Sequence, residues 1–100
     1  MTIVNKGTGY AVSGSTTANN INTGSNVNTW QVVNVSGQAA AVKIATSNTS
    51  ATMTNGVVVP TGASLVVSGD FGPAYQGNVW VSTILASSTG TVYVTPVIES

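Results

Sequence analysis

One hundred residues, the size of a single domain, carry only four charges, Lys6, Lys43, Asp70 and Glu99, and no Arg, His or Cys. That inventory excludes a basic patch able to neutralise a phosphate backbone, a polybasic membrane anchor, disulfides and thiolate metal sites, and catalytic triads built on His. The 42% hydrophobic content is ordinary, and a Val- and Thr-rich chain of near-zero net charge reads as a folded β protein rather than a disordered one.

Thr2-Ile3-Val4 opens the chain as a short β-prone segment, and residues 1–9 read as an N-terminal arm or edge strand. The segment has no long apolar core of the secretory-signal kind, and no later run approaches the roughly 20 apolar residues of a spanning helix. Asn5 to Gly9 is a turn, and Tyr10-Ala11-Val12 a brief strand. Ser13 to Thr29 is rich in Ser, Thr, Asn and Gly and reads as a polar loop. A structureless loop of that length is uncommon in a compact domain, so either a short strand is expected near Asn20 to Thr23 or the segment orders only against a partner. Trp30 to Val35 and Ala40 to Thr46 are strands, the second with Val42 and Ile44 inward and Lys43 outward.

Thr52-Met53-Thr54, Asn55-Gly56 and Val57-Val58-Val59 spell a hairpin with a type I′ turn. Pro60-Thr61-Gly62 suits a type I turn with Gly in the left-handed position, and Ser64 to Ser68 is a strand with Leu65 and Val67 on one face. Gly69 to Gly77 is a loop holding Asp70, Phe71, Pro73 and Tyr75. Asn78 to Pro96 has the strongest pattern and reads as a hairpin. Its turn is Ser87-Ser88-Thr89-Gly90, with Gly90 supplying positive φ and Pro96 ending the ladder or marking an edge. No helical period and no internal repeat occurs. Seven or eight short strands at this spacing predict an all-β chain, a single antiparallel β-sandwich of jelly-roll or immunoglobulin-like type over residues 1–100.

The candidate chemistry is thin. Asp70 and Glu99 are the only carboxylates for a glycosidase pair, and Glu99 is penultimate. Asp70-Phe71-Gly72 matches a kinase metal-binding triplet without the rest of that motif set and reads as a turn. Gly7-Thr8-Gly9 has no helix after it, and one Asp among Asn residues is poor for a hard cation. Asn34-Val35-Ser36 and Asn48-Thr49-Ser50 match the glycosylation triplet, which arises readily by chance in this composition. No catalytic, cofactor or metal residue is assigned, and the chain is expected to be non-enzymatic. Among the aromatics, Trp30 and Trp80 lie inside apolar strands and are expected in the core. Tyr10, Phe71 and Tyr75 lie in loop-like contexts, where Tyr10 and Tyr75 in particular are expected to be exposed.

The stretch Trp30 to Val97 resembles small β-sandwich modules in virion proteins of tailed bacteriophages. The likeness rests on Val33-Asn34-Val35-Ser36-Gly37, Val42-Lys43-Ile44, Val59-Pro60-Thr61-Gly62-Ala63-Ser64-Leu65, Val79-Trp80-Val81 and Thr89-Gly90-Thr91-Val92-Tyr93-Val94. The resemblance implies a capsid decoration or cement protein, trimeric, on the outer capsid surface. It would be made in the host cytoplasm without a signal peptide, and its partners would be the major capsid protein and sister copies, not nucleic acid or membrane. The arm residues Thr2, Ile3 and Val4 would then touch the shell. The alternative is a tail-fibre or baseplate adhesion module binding carbohydrate through Tyr10, Phe71 and Tyr75.

Overall fold

Strands in which Val and Ile alternate with Ser, Thr and Asn have one apolar face, and two sheets of such strands bury those faces against each other. The computed structural model describes residues 3–71 and 75–99, the side chain of Glu99 excepted. Nine strands form: β1 (Ile3–Asn5), β2 (Tyr10–Gly14), β3 (Asn19–Asn22), β4 (Thr29–Asn34), β5 (Ala40–Ala45), β6 (Val57–Val59), β7 (Ser64–Ser68), β8 (Trp80–Leu85) and β9 (Gly90–Glu99). No helix occurs among the described residues. The chain is an all-β sandwich, with one or two strands more than its sequence predicts. β3 is the short strand expected within the polar loop, near Asn20 to Thr23.

The strands pair as nested rungs. β5 pairs β6, β4 pairs β7, β3 pairs β8 and β2 pairs β9, all antiparallel. This is one long hairpin with β5–β6 at its tip. It is rolled on itself, so that β9 also pairs β4 and β8 also pairs β5. The first sheet runs β2-β9-β4-β7, with β1 extending along β9, and the second runs β3-β8-β5-β6. That order is the jelly roll.

Three expectations about connections are therefore corrected. β8 and β9 are consecutive but lie in different sheets, so Asn78 to Pro96 is an arch and not a hairpin. Thr52 to Thr54 is a turn, not a strand, and β6 pairs β5 instead. Asn55 closes that turn by accepting from the Thr52 amide at 2.6 Å through its side chain. Gly90 is not the left-handed residue of the arch; Ser88 is, at φ 55°. Gly90 is needed for room, because a Cβ there would lie 2.5 Å from the Ser36 Cβ. The Pro60–Gly62 turn is as expected: the Ala63 amide donates to the Pro60 carbonyl at 3.1 Å, and Gly62 has φ 76°.

Pro96 does not end β9, which continues to Glu99. β1 pairs at Asn5↔Val97 and β2 at Tyr10↔Val94, so residues 6–9 bulge opposite Thr95 and Pro96. The Lys6 amide still donates to the Pro96 carbonyl at 2.8 Å. A proline is tolerated there because a bulge asks for no amide from it.

The core is built mostly from Val: Val12, Val32, Val42, Val59, Val81, Val92 and Val94 are fully buried, with Trp30 the largest side chain among them. Stiff β-branched side chains lose little rotamer freedom in such a layer. The Trp30 indole N–H donates to the Val27 carbonyl at 2.9 Å, so its polar edge costs little. Trp80 departs from expectation. It points to the outer face of the second sheet, where β8 buries Val81, Thr83 and Leu85 inward, and is only half-buried.

Two buried polar residues stand out. Asn34, fully buried at the end of β4, donates from Nδ2 to the Gln38 and Val59 carbonyls, both at 2.8 Å. Its Oδ1 accepts from the Ser36 amide at 3.0 Å and the Ser36 hydroxyl at 2.6 Å. One side chain thus ties the β4–β5 turn to the end of β6. Thr83 is also fully buried, and its Oγ1 has no hydrogen-bond partner among the described residues.

Candidate interaction surfaces

A sandwich has two outer faces and the strand edges at its sides, and here the two faces differ. On the second sheet, residues 46–56 fold back across the strands. The Ala51 amide donates to Ser82 Oγ at 2.7 Å, and Ser82 Oγ donates to Asn20 Oδ1 at 2.5 Å. Asn20 Nδ2 reaches Asn48 Oδ1 at 2.7 Å. Ala41 and Ser82 point outward from their strands, yet this cover buries them.

Among the described residues, nothing comparable covers the middle of the first sheet. Ala11, Tyr93, Val33 and Ser64 form one row across β2, β9, β4 and β7, and Thr95, Gln31 and Val66 form the next. Tyr93 is 48% exposed and Val35, just beyond β4, is 54% exposed. Polar members bond to one another, as Thr29 Oγ1 and Ser68 Oγ do at 3.0 Å. None of these residues is charged. The face is neutral and mixed, able to adhere through apolar contact and uncharged hydrogen bonds.

The residues singled out in the sequence are placed as follows. Thr2 lies outside the described residues. Ile3 and Val4 are exposed on β1, and Val4 sits opposite the exposed Ile98 of β9. Tyr10 is not free: it is half-buried, its ring centroid lies 6.5 Å from that of Trp30, and its hydroxyl donates to the Thr23 carbonyl at 2.8 Å. Phe71 and Tyr75 pack on each other at 5.1 Å and against the core. The Tyr75 hydroxyl lies 2.8 Å from the Asn78 carbonyl. The expected exposure of Tyr10 and Tyr75 is therefore corrected, since both rings are engaged within the domain. Sequence reasoning passed over Tyr93, Val35 and Val66. The first two carried a usable signal, outward parity on well-marked strands.

Chemistry-bearing residues do not converge on a deep site. Lys43 and Asp70 line the same two shallow clefts beside β5, of about 120 and 130 Å³, well short of the roughly 300 Å³ at which ligand clefts begin. Among the described residues, no group of three or more His, Cys, Asp or Glu gathers. Of the two glycosylation triplets, Asn34 is buried with both amide protons committed, while Asn48 is exposed. No protein family, curated protein or solved structure matches this chain in comparisons of sequence and fold.

Proposed function

We propose that this protein is a non-enzymatic structural component of a bacteriophage virion, a decoration protein on the outer capsid surface that clamps neighbouring subunits of the major capsid protein. The observation that carries the reading is the uncovered, uncharged outer face of the first sheet, with Tyr93, Val35 and Val66 exposed among Thr, Ser and Gln. The resemblance of the Trp30–Val97 pattern to phage virion modules supplies the setting, and a jelly roll is an architecture that capsid proteins use. A neutral face adheres by apolar burial and uncharged hydrogen bonds. Sister copies without charge repulsion pack closely around it. Ile3, Val4 and Ile98, exposed at the N-terminal strand, add a separate uncharged apolar patch. In the alternative reading, a tail or baseplate module, copies per particle would be few rather than hundreds. Its carbohydrate platform loses support from the packing of Tyr10, Phe71 and Tyr75.

Salt response tests the mechanism. A charged contact weakens as the Debye length shrinks to about 3 Å at roughly 1 M salt, whereas urea and guanidinium weaken apolar burial. Particles washed in about 1 M sodium chloride should retain the protein, and moderate urea should strip it before the shell dissolves. Progressive loss along the salt series would remove the neutral-clamp reading.

A further inference from the structure

Five strands border the sandwich, β1, β2 and β7 in the first sheet and β3 and β6 in the second. Edge strands normally carry a charge, a proline or a bulge that blocks a further strand. None of these five contains a charged residue or a proline. One of them is capped by a side chain instead: Asn19 Nδ2 donates to the Ser13 carbonyl at the β2 edge at 2.9 Å.

β7 is different. In an antiparallel ladder, residues point their amide and carbonyl alternately toward the partner and away from it. The Asn34 amide donates to the Ala63 carbonyl, and the Gly69 amide donates to the Asn28 carbonyl. With the register Val32↔Leu65 and Trp30↔Val67, this sets the phase: Leu65 and Val67 bond to β4. Ser64, Val66 and Ser68 turn their amides and carbonyls to the open side. There Leu65 is 39% exposed and Val66 37%.

The strand reads Ser-Leu-Val-Val-Ser, apolar in the middle and Ser at both ends. We propose that β7 pairs with β7 of a second copy of this chain, antiparallel, about a two-fold axis through Val66. In that register Val66 faces Val66 of the partner, Ser64 faces Ser68, and Leu65 lies beside Val67. The residues brought into hydrogen-bonded positions are the ones whose backbone groups are turned outward, giving about six interchain bonds. Each side chain stays on its own face of the joined sheet, since pairing in this register preserves the alternation. Asp70 falls opposite Gly62 of the second copy, so the two Asp70 carboxylates sit at opposite ends of the seam. An isologous contact of this kind closes after two copies and so replaces the threefold association that the phage resemblance implies. It is independent of the virion reading, because it joins free copies without a shell.

Cysteine cross-linking tests the register directly, because the chain has no cysteine of its own. Facing residues of a hydrogen-bonded pair have Cα atoms about 5.5 Å apart, inside the roughly 4.4–6.8 Å range of a disulfide. Under mild oxidation at high micromolar concentration, Val66→Cys should convert to a covalent dimer and Ser64→Cys should not. Mixed Ser64→Cys and Ser68→Cys proteins should cross-link to each other. Sedimentation velocity should show a dimer for the unmodified protein. Val66→Lys, which sets two ammonium groups face to face, should leave a monomer with an unchanged circular dichroism spectrum. Val66→Pro should do the same by deleting an amide that β4 does not use. A monomeric unmodified protein, equal cross-linking at 64 and 66, or an assembly indifferent to Val66→Lys overturns the proposal.

Discussion

Replacing Asn34 tests whether one buried amide holds the turns at its end of the sandwich. Asn34→Ala removes two donated and two accepted hydrogen bonds. Water can reach the half-buried Ser36 and Gln38, so those groups recover part of the loss. The Val59 carbonyl is fully enclosed and loses one of two donors, keeping the Ala40 amide across the β5–β6 ladder. The net value of the four lost bonds, part of it recovered through water, amounts to about 2–4 kcal/mol. Asn34→Asp separates the donor role from the space-filling role. It keeps the shape and the acceptor facing Ser36, but sets an oxygen against two carbonyls at 2.8 Å. Only the protonated acid can donate there, so the folded state raises the acid's pKa above its unfolded value of about 3.9. The native state then holds the proton more tightly than the unfolded state. Stability is fullest below the unfolded pKa and falls as pH rises toward the folded one, by up to about 1.4 kcal/mol per pH unit. Urea unfolding followed by fluorescence, with Trp30 buried in the same strand as the reporter, measures both variants. An Asn34→Ala cost under about 1 kcal/mol, or an Asn34→Asp protein more stable at pH 7 than at pH 4, would refute the reasoning.

Thr83→Val should leave the melting temperature unchanged or raise it, since Oγ1 is buried without a partner among the described residues and such a hydroxyl costs about 1–3 kcal/mol; a clear fall in calorimetry would show that the hydroxyl is bonded after all. Trp30→Ala should cost about 3–5 kcal/mol, and Trp80→Ala distinctly less, because Trp80 is only half-buried on an outer face; equal costs in denaturant titrations would contradict that placement. Gly90→Ala should destabilise by about 1–3 kcal/mol through overpacking against Ser36. Gly24→Asn should be nearly silent, since Gly24 has φ 66° and open space around it, and Asn tolerates that conformation. Parallel thermal melts decide between the last two.

The strands were legible because period-two alternation is a local property. Val42 and Ile44 inward with Lys43 outward, and Val92 and Val94 inward with Tyr93 outward, follow from parity alone. The pairing of those strands was not legible. A turn signal between two strands says that the chain reverses; it does not say whether the second strand pairs with the first or crosses to the opposite sheet. Ser87 to Gly90 and the hairpin-like signal at Asn55-Gly56 are both cases where the reversal is real and the local pairing is absent. In a rolled hairpin only the tip pairs neighbours in sequence, here β5 with β6. Every other rung joins strands far apart in the chain, and the decision rests on burying both apolar faces at once.

The same distinction governs the surface. An aromatic residue flanked by Gly and Asn looks exposed in sequence, yet Tyr10 and Tyr75 are long enough to pack their rings and deliver their hydroxyls to backbone carbonyls. A tyrosine so satisfied has little to gain from water. Conversely, the exposure of Tyr93 and Val66 depends on which sheet residues 46–56 fold across, and those residues are held to the second sheet by Ser82 and Asn20. With one outer face covered by the chain itself, the uncovered neutral area concentrates on the other. That face ends at β7, an edge whose backbone groups point outward without a side-chain cap among the described residues. Face and edge therefore meet along Val66, and a partner that adds to the edge extends the same uncharged sheet.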